Sequence, residues 1–326
     1  MDAREAAASR PGSRARPPGP ARLTGIVQSW KFARDPLGLL SGIARKYGDI
    51  ACFSLAGNEV FLVSHPDYVR EVLITQRAKF EVSALRARLE LVLGTGLLTA
   101  RGELHARQRR LMQPVFRKSR IDAYAGCMVE FAQRASGRWT PGGEIDIAAE
   151  MMKLTMAVVA KTLFDHDVEG EADRVSRNLT LLMSYFTRLL SPFLRHALNL
   201  PLPSTHRFRR ALRELDEVIY GMIAHRLRHP GRGEDLLSLL MRAKDDETNA
   251  AMTEKQLRDE LLTLFLAGHE TTANLLTWTI WLLAQHPEAD AKLHAEVRSV
   301  LAGRPSFEAA DADRLCYTRQ VILEGL

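Results

Sequence analysis

The sequence predicts a mainly α protein with one small β element near its N-terminus. A proline-free helical pattern over 254–286 opens at a capping box, Thr253 with Gln256, and stops at Pro287. That is roughly 50 Å of helix at ~1.5 Å per residue, enough to cross a whole domain. Successive amphipathic helical patterns fill 124–229, whereas strand-like alternation is confined to 50–64. With 326 residues, 46% hydrophobic and 26% charged, the chain can bury a sizeable core.

In chain order, residues 1–22 read as a disordered, basic, Pro-rich tail, with five arginines against Asp2 and Glu5 in a chain of net charge +6. A transit peptide is a second reading of the same stretch. One domain is expected from 23 to 326. It begins with a helix over 35–47 carrying Leu37, Leu40, Ile43 and Ala44 on one face, then strands at 50–55 and 59–64 around Ala56-Gly57-Asn58. His65-Pro66-Asp67 opens another helix through 76. Cys52, Cys127 and Cys316 show no paired or zinc-binding spacing, which points to a reduced, cytoplasmic protein. No signal peptide or apolar anchor is visible. No run of about 18 apolar residues exists to span a membrane, because Glu270 and Asn274 interrupt the long helix. There is no internal repeat.

The stretch 101–120 is strongly basic: Arg101, Arg107, Arg109, Arg110, Arg117, Lys118 and Arg120 stand against Glu103. His105 and Arg109, at i and i+4, share a helix face and can grip carboxylates. A solvated face or a nucleic-acid contact is the competing reading. Breaks at 141–143 and 201–203 divide the following helices, and the apolar 184–202 reads as a plain core helix pair or, by analogy of fold alone, equally as a substrate lid. A charged turn over 226–234 precedes a short helical pattern at 235–240. After the long helix, further helices run from 287 to about 303 and from 313 to 326.

The middle of the long helix breaks its own pattern. Both flanks, 261–266 and 275–283, are apolar nearly all round and read as buried, yet Ala267-Gly268-His269-Glu270-Thr271-Thr272 lies between them. Gly268 costs about 1 kcal/mol of helix propensity. Ala267 and Gly268 offer a flat spot on which a planar ligand can lie, and the Thr271 hydroxyl shares that face. Glu270 is expected to meet water and Asn274. Alternatively, Thr271 bonds back to the Ala267 carbonyl and bends the helix, with Glu270 in an ordinary ion pair.

A-G-H-E-T-T in a long helix resembles the oxygen-activation motif of the cytochrome P450 family, the haem-thiolate monooxygenases. The resemblance implies that family's fold, with haem b as cofactor. It implies that Ala267 and Gly268 face the haem, while Glu270 and Thr271 serve proton delivery to dioxygen. In the family's G-x-x-[W/H]-x-x-x-R pattern, His105 and Arg109 fall on the positions that hold the haem propionates. A small hydrophobic organic substrate and an electron-donor protein, a ferredoxin or reductase meeting the outward arginines, are implied as partners. No nucleic acid and no membrane anchor are expected.

The last residues resemble the lead-in to the family's E-x-x-R helix, with Glu324 in its first position and an arginine expected three residues later. None of the three cysteines fits F-x-x-G-x-R-x-C-x-G: Arg45, Arg120 and Ala309 stand where Phe is required. The axial thiolate is therefore absent from these residues. The expectation is an N-terminal part of such a domain, truncated inside the E-x-x-R helix and inactive as written. The alternatives are a non-catalytic helical interaction module and a basic nucleic-acid-binding protein.

Overall fold

The computed structural model describes residues 16–21, 24–55, 57–80, 86–164, 172–189, 202–229, 235–244 and 249–326. They divide into two compact units, one made of the described parts of 1–83 and 187–200, the other of the described parts of 84–186 and 201–326. The architecture is mainly α with one small β element, as expected.

The first unit contains α1 (Gly25–Arg34), α2 (Pro36–Tyr47), β1 (Ile50–Leu55), β2 (Asn58–Val63) and α3 (Pro66–Arg70), which widens into a π-turn at Glu71–Thr75. The strands pair antiparallel, with Phe53 opposite Val60 and Leu55 opposite Asn58. Gly57 closes the hairpin at φ 82°, a conformation that favours glycine. Ile43, Ala51 and Phe53 form the buried centre, flanked by Leu39, Leu40 and Val60. Leu37, expected on the buried face of α2, is 75% exposed. It sits in the first turn, before the helix reaches the hairpin.

Two features of this unit were not legible. Helix α1 buries Gln28 and exposes Ile26 and Trp30, the reverse of an amphipathic pattern. The Gln28 side-chain oxygen accepts the Ser54 N–H at 2.9 Å, so a polar residue is the one that docks. Residues 16–21, at the end of the stretch read as a tail, lie against β1: Cys52 N–H donates to the Pro18 carbonyl at 2.9 Å, and Arg16 pairs with Glu59. The remainder of that stretch, apart from 16–21, lies outside the described residues, as does most of the 184–202 segment.

The second unit runs through α4 (Arg86–Leu93), α5 (Gly102–Met112), α6 (Lys118–Ser136), α7 (Ile147–Phe164), α8 (Ala172–Leu189, of which 172–186 belong to this unit), α9 (Pro203–Arg228), α10 (Leu236–Arg242), α11 (Glu254–Gln285), α12 (Pro287–Leu301) and α13 (Cys316–Gly325). Pro203 and Pro287 start their helices at the position where a missing N–H costs nothing. The capping box of Thr253 and Gln256 starts α11, and α7 is its principal neighbour.

The expectation that α11 is buried along both halves holds only for the first. Leu257, Leu261, Leu262, Phe265 and Leu266 are buried, but Trp278 is 57% and Trp281 50% exposed. Apolar residues on every side of a helix do not say which sides find a partner. Here α9 meets the start of α11 at Arg258 and α7 its middle at Gly268 and His269, while the two tryptophans pack edge to face on each other. Among the described residues, no helix is long and apolar enough to cross a membrane.

Candidate functional site

Midway along α11 the side chains alternate sharply in environment. Ala267 and Thr271 are exposed, one turn apart on the same face, while His269 between them is buried against α7. The Thr271 hydroxyl donates to the Ala267 carbonyl, so the back-bond weighed from sequence is present. Its oxygen keeps lone pairs to accept a further hydrogen bond. Glu270 is half-buried, and among the described residues its carboxylate has neither an ion pair nor a bond to Asn274. Both sequence readings of Glu270 had given it a protein partner or Asn274.

Gly268 faces another way than its proposed role suggests. A Cβ built there would stand 3.1 Å from Val159 Cγ2 of α7. The glycine therefore lets two helix backbones approach, and Ala267 with Thr271 makes the open face. His269 marks the same contact: both ring nitrogens are buried without a partner among the described residues. Burial lowers its pKa from the ordinary 6.5 to about 4, with the nearby Met152 backbone opposing too weakly to reverse it. At neutral pH the ring is uncharged and serves as packing.

His105 and Arg109 sit on α5, one turn apart, His105 half-buried and Arg109 exposed. Among the described residues the Arg109 side chain has no acidic partner. Other cations of the stretch are engaged: Arg101 pairs with Glu90 at 3.7 Å, Arg107 donates to the Ala250 carbonyl at 3.1 Å, and Lys118 pairs with Asp122 at 3.2 Å. This leaves less of a continuous cationic stripe than the sequence suggested.

A buried polar network, missed from sequence, connects the two helices. Arg258 donates to Asp216 of α9 at 2.7 Å and to the Val92 carbonyl at 3.0 Å, and it pairs with Asp259 at 3.0 Å. Asp259 accepts the Thr95 N–H at 2.9 Å and pairs with Lys255 at 2.7 Å. Glu260, 0% exposed, accepts the Leu97 N–H at 2.9 Å. The Thr95 carbonyl in turn accepts from Gln108 of α5 at 2.8 Å. Three consecutive charged residues, Arg258-Asp259-Glu260, on the buried half of an apolar helix were the available signal.

The exposed Ala267–Thr271 face and the unpaired Arg109 fit a flat cofactor bearing carboxylates. Cys52 lies buried in β1, Cys127 on α6, and Cys316 exposed at the start of α13. Among the described residues no three His, Cys, Asp or Glu side chains gather as a free metal ion would need. A haem has no such requirement, since its porphyrin supplies most of the iron's donors. Glu324, near the end of α13, is exposed and unpaired among the described residues.

A family profile, Cytochrome P450, matches residues 16–326. Cyclooctatin synthase of Streptomyces melanosporofaciens is 37% identical over 298 residues, which are 90% of this chain and 64% of that protein. The cyclooctat-9-en-7-ol 5-monooxygenase of the same organism is 35% identical over 321 residues, 97% of this chain and 68% of its own. The chain thus spans about two thirds of the length of these relatives. In three dimensions it resembles the haem domain of cytochrome P450DA with a TM-score of 0.80 at 23% identity, over 96% of this chain and 70% of that one.

Proposed function

Because the chain belongs to the cytochrome P450 family, we propose that it carries the oxygen-activating and propionate-holding parts of a haem-dependent monooxygenase. The observation that carries this reading is the open Ala267–Thr271 face, which begins directly after the packed half of the helix, Leu257 to Leu266. Haem, when bound, supplies the redox chemistry of oxygen insertion.

In this reading Ala267 admits the flat face of the cofactor without a clash. Thr271 presents its hydroxyl on that face, where it accepts a hydrogen bond from water and donates one in place of its bond to Ala267. Glu270, without a protein partner among the described residues, takes a proton from solvent and passes it on as a general acid. Gly268 keeps α7 close, which fixes the rotation of α11 and so the direction of Thr271. His105 and Arg109 would hold the propionates. The remaining outward arginines form the docking patch for an acidic electron donor.

One relative is named as a monooxygenase of cyclooctat-9-en-7-ol, an unsaturated alcohol, and a small hydrophobic organic substrate is proposed here. No cysteine of this sequence stands in the family's ligand pattern, so the 326 residues as written are proposed not to form a thiolate-ligated haem. A cytoplasmic location is part of the same proposal. A non-catalytic interaction module is the second reading, favoured by the exposed Trp278–Trp281 pair.

The test is Thr271→Ala in this chain joined to the family's cysteine-bearing segment. Reductant consumption should continue while oxygenated product gives way to peroxide. Unchanged coupling would mean that Thr271 serves only its own helix.

A further inference from the structure

The loop over residues 94–100, between α4 and α5, is held by two adjacent carboxylates of α11. Asp259 takes the Thr95 N–H, and Glu260 takes the Leu97 N–H, both at 2.9 Å. The fit is close enough to exclude side chains. Gly94 has φ 59°, and a Cβ there would land on the Asp259 carboxylate; a Cβ on Gly96 would land on Thr263. Thr99 closes the loop by donating to the Gly94 carbonyl at 2.7 Å. From Thr95 the chain of bonds passes to Gln108, which lies between His105 and Arg109 on α5.

We propose that Asp259 and Glu260 are positioning residues: together they latch the 94–100 loop to α11 and, through Thr95 and Gln108, hold the His105–Arg109 helix in register with Ala267 and Thr271. What α5 and α11 carry rests on the haem reading above; the latch itself does not.

The two carboxylates are not equivalent. Asp259 is compensated by Lys255 and Arg258. Glu260 has one oxygen on Leu97 and the other buried with no partner among the described residues. Burial pushes its pKa from the ordinary 4.5 up to about 7, the Leu97 N–H opposes, and the Asp259 charge adds to the rise. The elements packed on α11 bring other charges with their own partners: Asp216 of α9 with Arg258, Glu90 of α4 with Arg101, and Lys153 of α7 with Glu150. Arg242 lies on α10 and is also engaged.

The sign follows from linkage. The closed latch favours protonated Glu260, so its stabilisation is complete below about pH 4.5 and is lost as pH rises to about 7, levelling beyond. Opening should become easier by at most about tenfold per pH unit within that window.

Amide hydrogen exchange on the haem-free 326-residue chain tests this directly. Protection factors for 94–100 should fall between pH 5 and 7 and then level. Glu260→Gln should flatten that profile, and Asp259→Asn should weaken protection at Thr95. A wild-type profile that is flat across the window, or one that Glu260→Gln leaves unchanged, would overturn the latch. The wild-type measurement stands even if a variant fails to fold. The positioning role has its own readout in hemin titration: Gln108→Leu should keep the loop protected yet weaken hemin binding at least tenfold. Equal binding in wild type and Gln108→Leu would remove the positioning role. If hemin binds neither protein while the pH profile holds, the haem reading fails and the latch stands.

Discussion

The Thr155 hydroxyl of α7 donates to the His269 carbonyl of α11 at 3.1 Å, with both residues buried. The bond joins the two most closely packed helices of the second unit, two residues from Thr271. The same hydroxyl also reaches the Met151 carbonyl at 2.9 Å, so the contact is shared. Thr155→Val keeps the shape and removes the donor. It should cost about 1 kcal/mol, since the His269 carbonyl retains its place in the α11 ladder. Urea unfolding of the two proteins measures this, and an unchanged midpoint would mean the hydroxyl serves only α7.

His269 gives that interface an acid sensitivity. Its pKa falls from 6.5 to about 4 on burial. Its contribution to stability is therefore complete above about pH 6.5 and is lost as pH falls toward 4. His269→Leu, which cannot be protonated, should lose less stability than wild type between pH 7 and 4.5. Parallel losses measured by urea unfolding would show that the ring reaches water.

The element pattern was legible where local chemistry dictates it. Thr253 with Gln256, Pro287, Pro203 and Gly57 each fix a helix end or a turn by their own backbone or side-chain properties. Burial was less legible. The sequence of 275–283 is as apolar as that of 261–266, but the buried side chains gather in the latter. Helix α1 was missed because Gln28, not Ile26 or Trp30, makes the docking contact. At the site, the exposed pairing of Ala267 with Thr271 follows from helical spacing. The orientation of Gly268 toward Val159 depends on where α7 lies, and the latch of Asp259 and Glu260 joins residues more than 160 positions apart in sequence. No local pattern encodes either.

Two glycines separate backbone conformation from steric fit. Gly94 and Gly102 have similar positive φ values, 59° and 53°, but a side chain on Gly94 meets the Asp259 carboxylate while one on Gly102 meets open space. Gly102→Ala should cost roughly 1–2 kcal/mol for the left-handed backbone alone. Gly94→Ala carries that cost plus displacement of a buried carboxylate, and should exceed about 3 kcal/mol. Thermal unfolding of the pair gives the comparison, and equal losses would mean the loop does not sit on Asp259.

Hemin titration of the 326-residue chain, followed by reduction under carbon monoxide, bears most directly on the central claim that the Ala267–Thr271 face takes a haem while these residues hold no thiolate for it. Weak, saturable binding without a thiolate-type spectrum is expected, lost in Ala267→Trp and retained in Lys292→Glu, a change at an exposed lysine of α12. A thiolate-type spectrum of the reduced carbonyl complex, or binding that Ala267→Trp leaves intact, would contradict the account.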